Sequence, residues 1–198
     1  MEKISFAWRG ENDSARIDQA VISLEDNGMY AHGTSVAGSY ALAWHLDATD
    51  EWRTRTLEVS AYGRGWSRSL ALRRSGEGAW SADTCMRGVA DLAEAGLPDA
   101  STVQGALDYD LGLCPVTNTM PIRRLRLLDA DLPESPLVMA WVDVPSLRVI
   151  RSDQVYSSAG PGRVHYRSFS RDFHAELTVD DYGVVVDYPG LSQRITSR

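Results

Sequence analysis

Residues Leu107 to Leu125 read Leu-Asp-Tyr-Asp-Leu-Gly-Leu-Cys-Pro-Val-Thr-Asn-Thr-Met-Pro-Ile-Arg-Arg-Leu. Two carboxylates, a hydroxyl–amide–hydroxyl triplet and two adjacent guanidiniums share this one stretch. On a strand, Asp108 and Asp110 would lie on one face, and like charges that close raise one pKa, as acid–base pairs require. The same carboxylates can instead pair with Arg123 and Arg124 and tie the middle of the chain together. Successive residues point to opposite faces of a strand and diverge by about 100° on a helix. Only one of Arg123 and Arg124 can therefore aim into a groove. The other is left to pair with Asp108, Asp110 or Glu25. Thr117, Asn118 and Thr119, just ahead of Pro121, suit a helix cap as well as a ligand clamp.

Other chemistry finds no foothold. The chain has no Gly-x-Ser-x-Gly elbow, no Gly-rich phosphate loop and no His-Glu-x-x-His. His32, His45, His165 and His174 stand apart, and Cys85 and Cys114 lack Cys-x-x-Cys spacing, so neither metal nor other cofactor is expected. The cysteines read as free, small, partly buried thiols. A net charge of −7 argues against nucleic acid as a partner, because phosphate neutralisation needs a basic surface. Of twenty basic residues only Lys3 is lysine, so any anion-binding group is a guanidinium fork. Met1 to Arg9 has no apolar core of signal-peptide length, and no stretch reaches the roughly 18 apolar residues of a spanning helix. A cytoplasmic protein without a membrane span is expected.

The elements that must position these groups are mostly strands. Tyr40, Leu42, Trp44 and Leu46 alternate with period two, and Asp47 to Asp50 reads as a turn. Trp52 to Tyr62 follows with Leu57, Val59 and Ala61 on one side, and after Gly63-Arg64-Gly65 the alternation resumes at Trp66, Arg68, Leu70 and Leu72. Upstream, Ala20, Ile22 and Leu24 alternate before the hairpin signal Asp26-Asn27-Gly28. Leu137–Val142, Leu147–Tyr156, Arg163–Phe169, Phe173–Val179 and Val184–Tyr188 repeat the style. Short strands with Gly- and Asp-rich turns indicate a meandering antiparallel sheet. In the middle, Met86, Val89, Leu92 and Ala93 fall at helical spacing over Cys85–Gly96, and Pro121–Leu128 suits a second short helix. Six Trp and eight Tyr against three Phe suit cavity mouths as well as a β core.

Val21–Tyr40 and Leu147–Tyr166 can be laid together without a gap, pairing Val21 with Leu147, Leu24 with Ile150, Tyr30 with Tyr156 and Tyr40 with Tyr166. Leu70-Ala71-Leu72 with Gly76 likewise pairs with Leu177-Thr178-Val179 and Gly183. One domain over 1–198 is expected, with two merged β repeats, about 1–82 and 130–191, joined by an irregular segment 83–129. Two such sheets would meet around a shared interior able to enclose an apolar ligand.

The run Thr117–Leu125, preceded by Leu107–Leu111, resembles the signature of the bacterial putative glycolipid-binding family. Trp52-Arg53-Thr54, Trp80 and the ending Val179–Leu191 resemble it too, and the Asn-Thr-x-Pro-Ile-Arg-Arg core and Asp-Tyr-Pro-Gly-Leu tail are its more specific parts. The stretch between Trp80 and Leu107 departs from the family pattern and reads as an insertion near the groove. The resemblance implies a duplicated all-β fold of curved antiparallel sheets, open and barrel-like, reminiscent of bacterial lipoprotein carriers, with one or two short helices in the middle.

Three functions follow as expectations. The first is non-enzymatic binding of a glycolipid or other amphipathic small molecule: buried apolar faces take the acyl part, Trp44, Trp52 and Tyr166 flank the entrance, and Arg123, Arg124, Asn118 and Thr117 read the polar head. The second is a hydrolase-like enzyme acting on a lipid or glycoconjugate through Asp108, Asp110 or Glu25. The third is a structural or protein-interaction domain whose open sheet edges pair into a homodimer.

Overall fold

A computed structural model describes residues 2–49, 51–129 and 131–195; Met1 and the turn residue Asp50 lie outside the described residues. The fold is mostly β. Strands β1 (Glu2–Gly10), β2 (Ile17–Glu25), β3 (Gly28–Val36), β4 (Tyr40–Ala48), β5 (Thr56–Gly63), β6 (Trp66–Arg74) and β7 (Trp80–Gly88) form a continuous antiparallel meander. After the irregular middle come β8 (Asp108–Leu111), β9 (Ser135–Val142), β10 (Val149–Ser158), β11 (Arg163–Ser168), β12 (Phe173–Val179), β13 (Val185–Tyr188) and β14 (Ser192–Arg194). Among the described residues these make one curved, unclosed sheet in the order 7-6-5-4-3-2-1-14-13-12-11-10-9-8. The seam is antiparallel, Trp8 opposite Arg194, and only β8 joins in parallel, Asp108 opposite Met139.

Period-two alternation decides what faces inward. Leu42, Trp44 and Leu46 on β4 are buried against Leu57, Val59 and Ala61 on β5 and Leu70 and Leu72 on β6. Arg68 shares that inner row at 8% exposure, which a charge tolerates only when its donors are satisfied. Its guanidinium donates to the carbonyls of Ser146 (2.9 Å), Leu92 (3.3 Å) and Ala93. One inward arginine thus ties the segment after β7 to the turn before β10.

The middle segment fills the inner face. Tyr109, Leu111, Val116 and Met120 pack against Trp8, Trp44, Trp52 and Trp80 in one core, while Tyr156, Tyr166, Leu177 and Tyr188 form a second. The space left among Trp8, Trp44, Leu111 and Val116 is about 10 Å³, room for one water at most. The shared interior expected to hold an acyl chain is therefore occupied by the protein's own side chains.

Two local expectations are revised. Cys85 to Gly88 completes β7 because β6 offers an open edge, and Gly88 at φ +75° closes the strand; no helix forms over 89–99, where Gly96 instead bridges Arg148. The middle helix α1 runs Thr119–Arg124, earlier than Pro121–Leu128, after 3-10 turns at Ala100–Val103 and Pro115–Asn118. The gapless match also shifts. Tyr30 and Tyr156 stand on the third strand of their seven-strand runs and Tyr40 and Tyr166 on the fourth, but the turn Asp26-Asn27 falls opposite Ser152-Asp153, inside β10. No helix among the described residues is long and apolar enough to cross a membrane.

The thiols differ more than their sequence context suggests. Cys85 is exposed, whereas burial pushes the Cys114 thiol up to about 12. The thiolate is the reacting species. Iodoacetamide at pH 8 is expected to label one cysteine in the native protein and two in urea, read by intact mass.

Candidate functional site

Asp108 enters the interior at the start of β8, where its side chain is fully buried. Arg124, at the end of α1, meets it with a forked contact, Nη2 to Oδ2 at 2.6 Å and Nη1 to Oδ1 at 2.8 Å, and Nη1 also donates to Trp52 O at 3.2 Å. Burial drives the Asp108 carboxyl up, and the Arg124 charge and hydrogen bonds pull it down. Arg124 is consumed as an internal tie.

Arg123, one residue earlier on the helix, diverges as the geometry requires. Its guanidinium lies over the Trp52 ring, 5.0 Å from the centroid. The stem runs across Gly183, where a Cβ would come within 3.2 Å of Arg123 Cδ; φ +80° at that turn also favours glycine. Trp52 is itself fixed by left-handed backbone (φ 63°) and by donating its N–H to Asn27 O at 3.0 Å. Among the described residues Arg123 makes no ion pair. Its charge is held in place by stacking and left open to solvent on one side.

That side is a groove of about 430 Å³ lined by Asp26, Asn27, Glu51, Trp52, Ile122, Arg123, Arg124, Arg126, Leu128 and Asp129. Glu51 is taken by Arg53 at 3.0 Å and Asp129 by Arg126 at 3.2 Å. The volume lies within the range of small-ligand pockets. A stacked guanidinium, an amide, carboxylates and the half-buried Leu128 side chain suit a hydroxylated or anionic group carrying an apolar portion.

Asp110, Thr117, Asn118 and Tyr166 are brought together elsewhere, inside the second core. The Asp110 carboxylate accepts from Gln154 Nε2 (2.7 Å), Thr117 Oγ1 (3.1 Å) and Arg171 Nη2 (3.4 Å). Arg171 also donates to Tyr166 OH and, through Nε, to Ser168 Oγ at 3.2 Å, and its guanidinium lies 5.1 Å over Trp141. Tyr156 OH donates to Asn118 Oδ1 at 2.9 Å. The Tyr166 ring meets Tyr156 and Tyr188 edge-on at 5.1 and 5.8 Å. Burial raises all three phenols above their usual range, which keeps them neutral donors. Every member has a partner within the network, as a buried polar cluster must.

The remaining two residues stand apart. Trp44 is core, its ring laid over Gly33, where a Cβ would stand 2.5 Å away. Glu25 is exposed at the β2–β3 turn. A wider trough, about 810 Å³, crosses the outer face of β1–β4 between Phe6, Val21, Ala43 and Ile195, with His32 and His45 stacked at 5.8 Å along it. Among the described residues no group of histidine, cysteine or acidic side chains is arranged to hold a metal.

Gln154 and Arg171 carry no signal of their own in the sequence analysis. Gln154 and Tyr156 sit one pleat apart on β10, and Tyr156 faces Tyr166 directly across to β11. Strand register would have found that pair. Gly183 was legible only as a turn; its close approach to Arg123 needs the helix in place.

A family model described as "Putative glycolipid-binding" matches residues 5–194. Among solved structures, the chain is similar to the crystal structure of a DUF1089 family protein from Pseudomonas aeruginosa, at 26% identity and a TM-score of 0.66, over 98% of this chain and 93% of that one. No curated protein matches.

Proposed function

The chain belongs to the putative glycolipid-binding family, and from that premise we propose that it binds an amphipathic ligand without transforming it, seating a polar or anionic head against Arg123 in the groove beside Trp52. The observation that carries this reading is the contrast between adjacent arginines. Arg124 is spent on buried Asp108, whereas Arg123 is pre-oriented by Trp52 and Gly183 and makes no ion pair among the described residues. Pre-orientation removes the rotamer entropy that a free arginine would lose on binding. Asn27 and Asp26 at the β2–β3 turn offer further hydrogen bonds at the rim, and Leu128 offers apolar surface. Burying about ten methylenes at roughly 0.8 kcal/mol each is worth about 8 kcal/mol before association costs, so the contacts to the polar head must carry part of the affinity. Asp108 and Asp110, the pair weighed for acid–base work, are each engaged by separate cations, which favours binding over catalysis.

Arg123→Ala is expected to leave urea unfolding within about 1 kcal/mol of the parent, because it removes a part-exposed side chain with no ion pair among the described residues, whose stacking on Trp52 is worth roughly 0.5–1 kcal/mol. Binding of a fluorescent acylated sugar phosphate should weaken by about 1.5–3 kcal/mol, the worth of a charge-assisted hydrogen bond. Equal affinity for parent and variant, by fluorescence titration, would remove Arg123 from the site.

A further inference from the structure

On the other side of the β4–β5 loop lies a second recess, about 480 Å³, lined by Thr49, Thr54, Arg55, Arg74, Ser75 and Gly76. Arg55 immediately precedes β5 and Arg74 ends β6. Register pairs Thr56 with Arg73, and Arg74 N–H donates to Arg55 O at 2.9 Å, so the two arginines stand directly opposite one another. Like charges in that position repel and destabilise a strand pair. Neither arginine makes an ion pair among the described residues, although the chain carries a net charge of −7.

Two of the described carboxylates near this recess already have partners. Asp47 accepts the N–H and the hydroxyl of Thr49 at 3.0 and 2.7 Å. Asp108, which feels the Arg74 charge, is held by Arg124 at 2.6 Å. Arg74 is pre-oriented: its Nε donates to Ala106 O at 3.2 Å and its Nη2 lies over Gly78, where a Cβ would stand 3.2 Å away. Ser75 Oγ accepts the Ala79 N–H at 3.1 Å, which leaves its own proton free to donate.

We infer that Arg55, Arg74 and Ser75 form a seat for a phosphate-class oxyanion, either free phosphate or a phosphate monoester. Two guanidinium forks and a hydroxyl converging on one recess match a tetrahedral anion with several acceptor oxygens better than a single carboxylate. The anion would neutralise the opposed arginines and join the β4–β5 loop to the β6–β7 turn. This site is independent of the Arg123 groove, so either can fail alone.

The test is thermal unfolding of the full chain in chloride at constant ionic strength, with inorganic phosphate titrated in. The parent should gain about 2–4 °C at phosphate around five times Kd. Arg55→Ala should melt at or above the parent without phosphate, because repulsion is relieved, and should gain nothing from phosphate. Arg64→Ala, an exposed arginine just past the other end of β5, should respond like the parent. Co-sedimentation with vesicles of phosphatidic acid in phosphatidylcholine separates the two sources: pelleting lost in Arg55→Ala identifies a lipid headgroup, and a phosphate response without pelleting identifies the free ion. A parent that responds to neither, or a response that Arg55→Ala retains, overturns the proposal.

Discussion

Replacing Arg124 with alanine is expected to cost the fold about 3–5 kcal/mol, because it leaves the fully buried Asp108 carboxylate without its cation. The loss has two parts. The forked contacts at 2.6 and 2.8 Å disappear, and Trp52 O loses its donor, which loosens the ring that supports Arg123. Burial already pushes Asp108 toward its neutral form, so without Arg124 the carboxyl is expected to take up a proton well above its ordinary range. Urea unfolding at pH 7 should show the drop in midpoint, and lowering the pH toward 5 should narrow the gap between variant and parent. The sign follows from linkage: the uncompensated carboxyl binds its proton more readily folded than unfolded, so acid favours the variant's native state. A double replacement, Asp108→Leu with Arg124→Met, should recover most of the loss, since a buried ion pair contributes little beyond what well-packed apolar groups supply. An Arg124→Ala midpoint equal to the parent's would mean the pair is not a structural tie.

Asp110→Ala should be nearly as damaging, at about 2–4 kcal/mol, for a different reason. It strips one acceptor from three donors at once: Gln154 Nε2, Thr117 Oγ1 and the Arg171 guanidinium. Gln154 and Thr117 are almost fully buried and cannot turn to water; Thr117 can fall back on Cys114 O at 3.0 Å, whereas Gln154 keeps only Ser152 Oγ at 3.2 Å for its two amide protons, so most of the cost falls on Gln154 at about 1–3 kcal/mol. Arg171 is partly exposed, so its share is smaller. Asp110→Asn loses the charge and turns one acceptor oxygen into a donor, but its remaining carbonyl can still accept from Gln154 and Arg171 while its amide donates to Thr117 Oγ1, so it should cost about half as much. Urea unfolding and near-UV circular dichroism of the tyrosines distinguish the two, because Tyr166 is held by Arg171 and should lose its fixed environment in Asp110→Ala.

Strand content was readable because alternation is a local signal. Leu42, Trp44 and Leu46, and even the charged Arg68, face inward as period two requires. The split between Arg123 and Arg124 was also readable, since adjacent residues cannot point the same way; which one pairs with Asp108 was not, because that depends on where β8 lands relative to α1. The middle resisted for the same reason. Cys85–Gly96 carries a weak helical spacing, but the free edge of β6 offers backbone hydrogen bonds that a marginal helix cannot match. The polar network joins Asp110 to Gln154 and Arg171, 44 and 61 residues away, and no spacing rule reaches that far. The apolar interior expected from two facing sheets was filled by Tyr109, Leu111, Val116 and Met120, which belong to the segment 83–129 expected to be an irregular joint between them.

The claim that this chain binds an amphipathic molecule through Arg123 is tested most directly by native mass spectrometry. Delipidated protein would be incubated with a defined acylated sugar phosphate, re-isolated and sprayed intact, the parent beside Arg123→Ala. One ligand per chain on the parent and a several-fold weaker adduct on the variant is the predicted result. No adduct on the parent, or equal adducts on both proteins, would contradict it; equal adducts would move the ligand away from the Trp52 groove, with the outer trough between Phe6 and Ile195 as the first place to look.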